Sequence, residues 1–428
     1  MPNDQTNTAS TASSLILPFI ICVLAALFYV YDYFIQVAPS VMTEQLMRSF
    51  SIGAGDLGIL SASFFYSYTL MQIPSGLFID RFGARIILTF AVLISALGVL
   101  IFGLSHLFAW AAVARFLIGV GSSCAYISAI FLVARWFPHR HFAMIAGLLQ
   151  LAACVGSIFG QAPLALTINH FGWRHVMVMT GVITFVLGVI YWVIIRDGRK
   201  PATSEAHNVV MKNERQRLSF LTQRSQVWWV AVCGLASWVP VGVVGALWGV
   251  PYLMKIYGWN NVVAGQICSL FWVGVGIGSP LAGWYSNRIA SRKKPFMICF
   301  LLAIFSSIVI VHAPFFSPWI IGAALFLLGV SAAVQSLTFS VIKDIVPPAA
   351  FGTASGLTNM LAILGSGVSQ TLVGFFIHSQ WNGARFDGIP VYSINDYQHA
   401  FYVLIAAGIL GLLVTWFKVK ETHAKITY

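Results

Sequence analysis

The sequence predicts an all-α membrane protein: twelve transmembrane helices in two six-helix halves. Three observations predict it. Only 8% of the 428 residues are charged and 59% are hydrophobic, whereas a water-facing domain carries about 25% charged residues. Most of the surface must therefore face lipid. Twelve apolar stretches follow one another with short connections, each near the ~20 residues that cross a bilayer core. The last six resemble the first six in order and register.

The first stretch, 15–38, follows a Ser/Thr/Asn-rich segment, residues 1–14, that lacks Lys and Arg. A secretory signal begins with basic residues, so 15–38 reads as a retained span and 1–14 as a disordered tail. Tyr29, Asp32 and Gln36 fall on one face of this span at helical spacing. Stretches 57–79 (with Gln72) and 86–104 come next. Stretch 108–134 carries Arg115, Ser122 and Tyr126, 142–167 carries Gln150, and 175–195 ends the N-terminal half, 15–195. The charged interval 196–225 reads as a linker. The C-terminal half, 226–418, contains stretches 227–253 (Trp248 and Tyr252), 263–285, 296–312, 319–342 (Gln335), 352–377 (Asn359) and 398–417. Residues 419–428 read as a tail. The six cysteines all lie inside apolar stretches with no CxxC spacing, as small packing residues do.

Four pairings establish the repeat. Gly76–Arg85 aligns with Gly283–Arg292, and Phe116–Val120 with Phe326–Val330. Phe142, Gly147, Gly156-Ser157 and Gln161 match Phe351, Gly356, Gly365-Ser366 and Gln370. Pro39–Met42 matches Pro251–Met254. All share nearly one offset, which points to duplication and to a site at the midplane between the halves.

Charge placement orients the chain. With the N-terminus in the cytoplasm, every Lys and Arg falls on that side except Arg48, Arg174, Lys255 and Arg385 opposite, and Arg115 within the membrane. This obeys the positive-inside rule and makes both termini cytoplasmic. The net charge of +12 thus reports topology. Dispersal over short loops argues against a nucleic-acid partner.

Gly76-Leu-Phe-Ile-Asp80-Arg81-Phe-Gly83-Ala-Arg85, between the second and third stretches, resembles the signature loop of the major facilitator superfamily, G-x-L-x-D-R-x-G-R-R/K. Ala84 departs from the family's first terminal Arg, and the second copy has Asn287 in place of the acid. Arg115, Gly119 and Gly121 resemble the family's fourth-helix R-x-x-x-G-x-G motif. The resemblance covers the whole chain and implies the major facilitator fold. It also implies that Gly76, Asp80, Arg81, Gly83 and Arg85, with Arg288 and Arg292 of the second copy, form a gating network that holds the halves together when the protein is open outward. Gly147, Gly156–Gly160 and Pro163 partly resemble the family's antiporter motif, without its Gly-Pro dipeptide.

Asp32 is the one acid deep in an apolar stretch, and Arg115 is its basic counterpart. A charge inside a membrane costs about 3 kcal/mol or more and marks function by default. The two are therefore expected to pair and to carry proton coupling. The substrate contacts are expected among Tyr29, Gln36, Tyr126, Gln150, Trp248, Tyr252, Gln335 and Asn359, since a buried amide or phenol needs a partner and a solute can be that partner.

The expected function is secondary active transport: proton-coupled uptake of a small polar nutrient, with amino acid or peptide ranked first. The aromatic first span is similar to that of bacterial family members importing such nutrients, which ranks the substrates; the short polar tail and absent targeting segment suit a bacterial inner membrane. A proton-antiport exporter and a non-transporting receptor are the alternatives. No HExxH, P-loop or G-x-S-x-G in a sensible context occurs, so neither hydrolysis nor ATP-driven transport has its parts. No metal and no cofactor is called for. The expected partners are the solute, protons and the bilayer, with the chain a monomer.

Overall fold

The computed structural model describes residues 7–137, 139–197 and 224–423; for 7–17, Asp80, 139–143 and 348–349 it describes the backbone alone. Twelve long helical segments run through the described residues. The first half contains α1 (Asn7–Val37), α2 (Ala54–Phe82), α3 (Ala84–Leu104), α4 (Phe108–Ser122 and Ala125–Trp136), α5 (His139–Phe159 and Ala162–Phe171) and α6 (Trp173–Ile194). The second contains α7 (Ser225–Tyr257), α8 (Asn261–Arg288), α9 (Lys293–Val311), α10 (Pro318–Ser331 and Val334–Ile345), α11 (Pro348–Ser379) and α12 (Ile394–Phe417). Eleven are long and apolar enough to cross a membrane. The other, α2, has 29 residues, about 44 Å at 1.5 Å per residue, and its extra polarity comes from residues such as Asp56, Tyr68 and Gln72.

Two expected boundaries move. The first helix is already formed at Asn7, so 7–14 is helical where a disordered tail was expected. Residues 419–423 are no free tail: Val419 and Thr422 are buried. The linker expected at 196–225 falls almost entirely outside the described residues.

Close packing follows the repeat. A Cβ on Gly119 of α4 would stand 2.2 Å from the Phe64 carbonyl oxygen of α2, and one on its counterpart Gly329 of α10 1.9 Å from that of Phe271 in α8. Only glycine permits backbones that near. Between the halves, α2 packs on α11 and α5 on α8.

These four interface helices diverge toward one end. On α2, a Cβ at Gly58 would meet the Gln370 carbonyl oxygen at 2.8 Å, while one at Gly76 would find no atom within 4 Å. On α8, Gly265 would meet Ala162 at 3.1 Å and Gly283 nothing. Each pair is separated by five helical turns, so both glycines face the same way. Gly147 of α5 and Gly356 of α11 are equally unopposed. The halves are therefore apart at the end carrying the Arg-rich loops, called the basic end here, and together at the other.

Side chains close that other end. Asn169 and Asn261 exchange amide hydrogen bonds of 2.8 and 3.1 Å across the halves, and Asn261 also donates to the Val41 carbonyl at 3.0 Å. The Ala54 amide donates to the Tyr392 hydroxyl at 2.8 Å. A hairpin, β1 (Arg385–Phe386) and β2 (Ile389–Pro390), turns through Asp387 and Gly388 at φ 49° and 78°, the paired positive φ values of a type I′ turn. Its Asp387 meets Arg48 of the first half at 3.1 Å.

α7 departs from regular helix. After Pro240, residues Val241–Trp248 form a π-helix. Proline removes an amide donor and crowds the preceding turn, and the wider π turn leaves carbonyls for outside donors. The repeat-related glutamines use them: Gln161 of α5 donates to the Gly245 carbonyl at 3.1 Å, and Gln370 of α11 to that of Gly242 at 2.9 Å.

Candidate functional site

A central cavity lies between the halves, enclosing about 810 Å³ with its open mouth. Six of the eight expected substrate contacts line it: Tyr29 and Gln36 from α1, Tyr126 from α4, Gln150 from α5, Gln335 from α10 and Asn359 from α11. The structure takes the other two elsewhere. Trp248 is buried and donates from Nε1 to the Gln370 carbonyl at 3.1 Å; Tyr252 donates to the carbonyls of Ile310 and Val311 at 2.7 and 3.1 Å. Both brace helices. They follow or end the π segment, which changes the phase of α7. Trp238, just before that segment, lines the cavity instead, with Trp272 of α8 and Tyr68 of α2.

The aromatic wall begins at α1. Tyr29 meets Tyr126 at 5.3 Å between ring centroids, and Tyr33 meets Trp272 edge-on at 5.8 Å. An amide chain runs along the other wall: Gln335 donates to Asn359 at 3.3 Å, and Asn359 to Gln72 of α2 at 3.2 Å. The chain joins the halves. Among the described amides that line the cavity, two buried atoms have no partner, Gln36 Nε2 and Gln335 Oε1. Gly234 leaves room for the latter, since a Cβ there would stand 2.9 Å from it.

Asp32 and Arg115 are both buried, at 1% and 2% exposure. The expected ion pair between them is absent among the described residues. Arg115 is engaged otherwise: it donates to the carbonyls of Ile35 at 3.1 Å and Ser61 at 3.4 Å, and its guanidinium lies 5.1 Å from the Phe64 ring centroid. The cause is local. α1 ends at Val37 and passes into a 3₁₀ turn, Ala38–Val41. The last turn of a helix leaves carbonyls unpaired with partial negative charge, which a cation satisfies. Asp32 keeps both carboxylate oxygens without a hydrogen-bond partner, and the hydroxyl of nearby Ser122 has none either.

The four arginines expected to gate engage within their own half. Arg81 stacks over Phe82 at 5.2 Å and Arg288 over Trp284 at 5.3 Å. Arg85 donates to the Trp192 carbonyl at 2.9 Å, and its backbone amide to Asp197 at 2.8 Å. Gly83 sits at φ 82°, and a Cβ on Gly76 would meet nothing within 4 Å. The Asp80 side chain lies outside what is described. Arg292 forms a buried ion pair with Asp344 at 2.9 Å and donates to Ser286 and Asn287.

Three acids outside the expected set act in this region. Asp197, just past α6, caps the start of α3 at Arg85. Glu421, just past α12, caps the start of α9 through the amides of Arg292 and Lys293 at 2.7 and 3.1 Å, with Ser291 also donating. Asp344 holds Arg292 and Thr422. Burial pushes the Glu421 carboxyl up, but these donors outweigh it and hold it at about 2. The signal in the sequence was a lone acid a few residues beyond the sixth and twelfth spans.

Comparison with known proteins fits this geometry. The family model described as Major Facilitator Superfamily matches residues 19–369 and 230–427. The chain is 21% identical over 391 residues to the "Probable galactarate/D-glucarate transporter GudP" of Escherichia coli, covering 83% of this chain and 86% of that protein. It is 32% identical to the "Uncharacterized transporter YybO" of Bacillus subtilis, over 38% of each chain. The crystal structure of a D-xylose-proton symporter superposes with a TM-score of 0.76 at 18% identity, covering 96% of this chain and all of that one. This chain, a multi-pass membrane protein built as a transporter and not as an enzyme, belongs to the Major Facilitator Superfamily.

Proposed function

We propose that this secondary transporter takes up a small polar solute together with protons by alternating access, with Asp32 as the proton carrier. Asp32 carries the reading: a carboxyl buried in the span that lines the cavity, with neither oxygen hydrogen-bonded. An ionised carboxylate left so is costly, and a protonated one far less so. Binding and releasing a proton there changes the electrostatic cost of closing the cavity. Arg115 acts beside it as a fixed support for the end of α1.

The Arg-rich loops support a cytoplasmic open end by the positive-inside rule. On that basis the conformation is inward-open and both termini are cytoplasmic; the bacterial transporters the chain resembles support a bacterial inner membrane. The gating residues then await the outward-open state, in which the basic ends of the halves come together. The chain acts as a monomer. Proteins that the chain resembles are named for sugar-like cargo, a probable galactarate/D-glucarate transporter in one case and, among solved structures of the same fold, a D-xylose-proton symporter in another.

The test uses proteoliposomes with an acidic exterior and radiolabelled solutes offered in turn. One solute should accumulate against its gradient. Asp32→Asn should abolish accumulation while sparing solute–solute exchange. Full accumulation by the variant refutes the role of Asp32.

A further inference from the structure

From the cavity's chemistry we infer that the transported solute is uncharged and hydroxyl-bearing, and not a carboxylate, a phosphate or a zwitterion. The inference rests on the transporter reading above and narrows its substrate. It begins from what faces the cavity. Among the described residues that line it, none is Lys, Arg, His, Asp or Glu. The intramembrane cation Arg115 does not line it: it is 2% exposed, donates from both terminal nitrogens to backbone carbonyls and lies against an aromatic ring, with only its buried Nε unpaired. A carboxylate or phosphate entering here would lose its water and find no counter-charge among the lining residues, which disfavours it. An amino acid would bring two such charges.

What the cavity offers is amides, hydroxyls and ring faces. The two unpartnered atoms are complementary in kind: Gln36 Nε2 is a donor and Gln335 Oε1 an acceptor. Both residues line the cavity and are more than nine-tenths buried, at 4% and 6% exposure. A hydroxyl is the simplest group that accepts from one and donates to the other without charge. The amide chain through Asn359 and Gln72 fixes Gln335 by holding its other end. Tyr29, Tyr126 and Trp272 supply the flat apolar surface that a small ring packs against. Sites built to pair a hydroxyl reject analogues that lack it.

The experiment is thermal unfolding of the purified full-length protein with D-xylose, myo-inositol and uridine against D-glucarate, glucose 6-phosphate and L-serine. At least one uncharged compound should raise Tm in a saturable way, and no charged one should. Gln36→Leu and Gln335→Leu should each weaken that binding by about tenfold, the effect of one lost hydrogen bond. The wild-type comparison stands even where a variant fails to fold. A shift from a charged compound overturns the inference, and so does an uncharged panel that is silent. Failure of the transporter reading looks different: an uncharged compound binds but never crosses the membrane of proteoliposomes.

Discussion

Asn261→Ala should swing the protein toward the conformation open at the end opposite the basic loops. Asn261 is buried, gives two hydrogen bonds and takes one, all with the other half: the reciprocal pair with Asn169 and the bond to the Val41 carbonyl. These contacts exist only while the halves meet at that end. At about 1 kcal/mol net for each hydrogen bond, removal costs this state about 2–3 kcal/mol. The ratio of the two conformations then shifts by about 30- to 150-fold. The helix itself is not at risk, because the side chain that caps α8 belongs to Asn260, and alanine is a good helix former. A cysteine at Ala54, which is buried at that end and bonds Tyr392 of the other half through its amide, reports the change in a background lacking the six native cysteines. Its alkylation by a membrane-impermeant maleimide should accelerate toward the open-state limit. Asn260→Ala, which removes the cap at Val263 and leaves the seam intact, should not accelerate it. Unchanged alkylation in a folded Asn261→Ala protein would refute the idea that this amide pair closes the end.

Ala290 occupies the repeat position of Gly83 and is held at φ 47°. Ala290→Gly should therefore raise Tm, relieving about 0.5–1 kcal/mol of backbone strain. Gly83→Ala should lower Tm by more, because its Cβ would add a 2.6 Å contact with Asp197 Oδ2 to the strain at φ 82°. Glu421 is held at about 2 in the folded protein, below its ordinary value of 4.5. It stabilises above about pH 4.5, and that contribution disappears as pH falls toward 2. Glu421→Gln should thus lower Tm near neutral pH and match wild type near pH 2 in a scan of unfolding against pH.

Much of this was legible because lipid imposes simple rules. Twelve apolar stretches had to be helices, since no other backbone satisfies itself in hydrocarbon without closing a barrel. The cavity wall was legible for a related reason: Gln36, Gln150, Gln335 and Asn359 are amides with no cheap place in lipid, and each lines the interior. The pairing of Asp32 with Arg115 was not legible. Charge complementarity suggested it, but the free carbonyls at the end of α1 compete for the guanidinium, and helix-end carbonyls leave no trace in a hydropathy pattern. Trp248 and Tyr252 were misplaced because a π-helix shifts the phase of α7, which a 3.6-residue period cannot anticipate. The caps formed by Asp197 and Glu421 were missed because a carboxylate in a short loop looks like solvated surface until the fold brings a helix start to it. The Asp387-Gly388 pair carried a hairpin signal that went unused.

The grip of Gln161 on Gly245 has a mechanical consequence. Gln161 belongs to one half and Gly245 to the other, at a level where the seam is still tight and beyond which it opens. For two bodies that rock against each other, points near the axle hardly move while the rims swing. A hydrogen bond at such a point can survive the whole cycle, so that each stroke breaks and remakes only the contacts at the two rims. Gln161 would then govern how firmly the two bodies are hinged and leave the choice of open end to residues like Asn261.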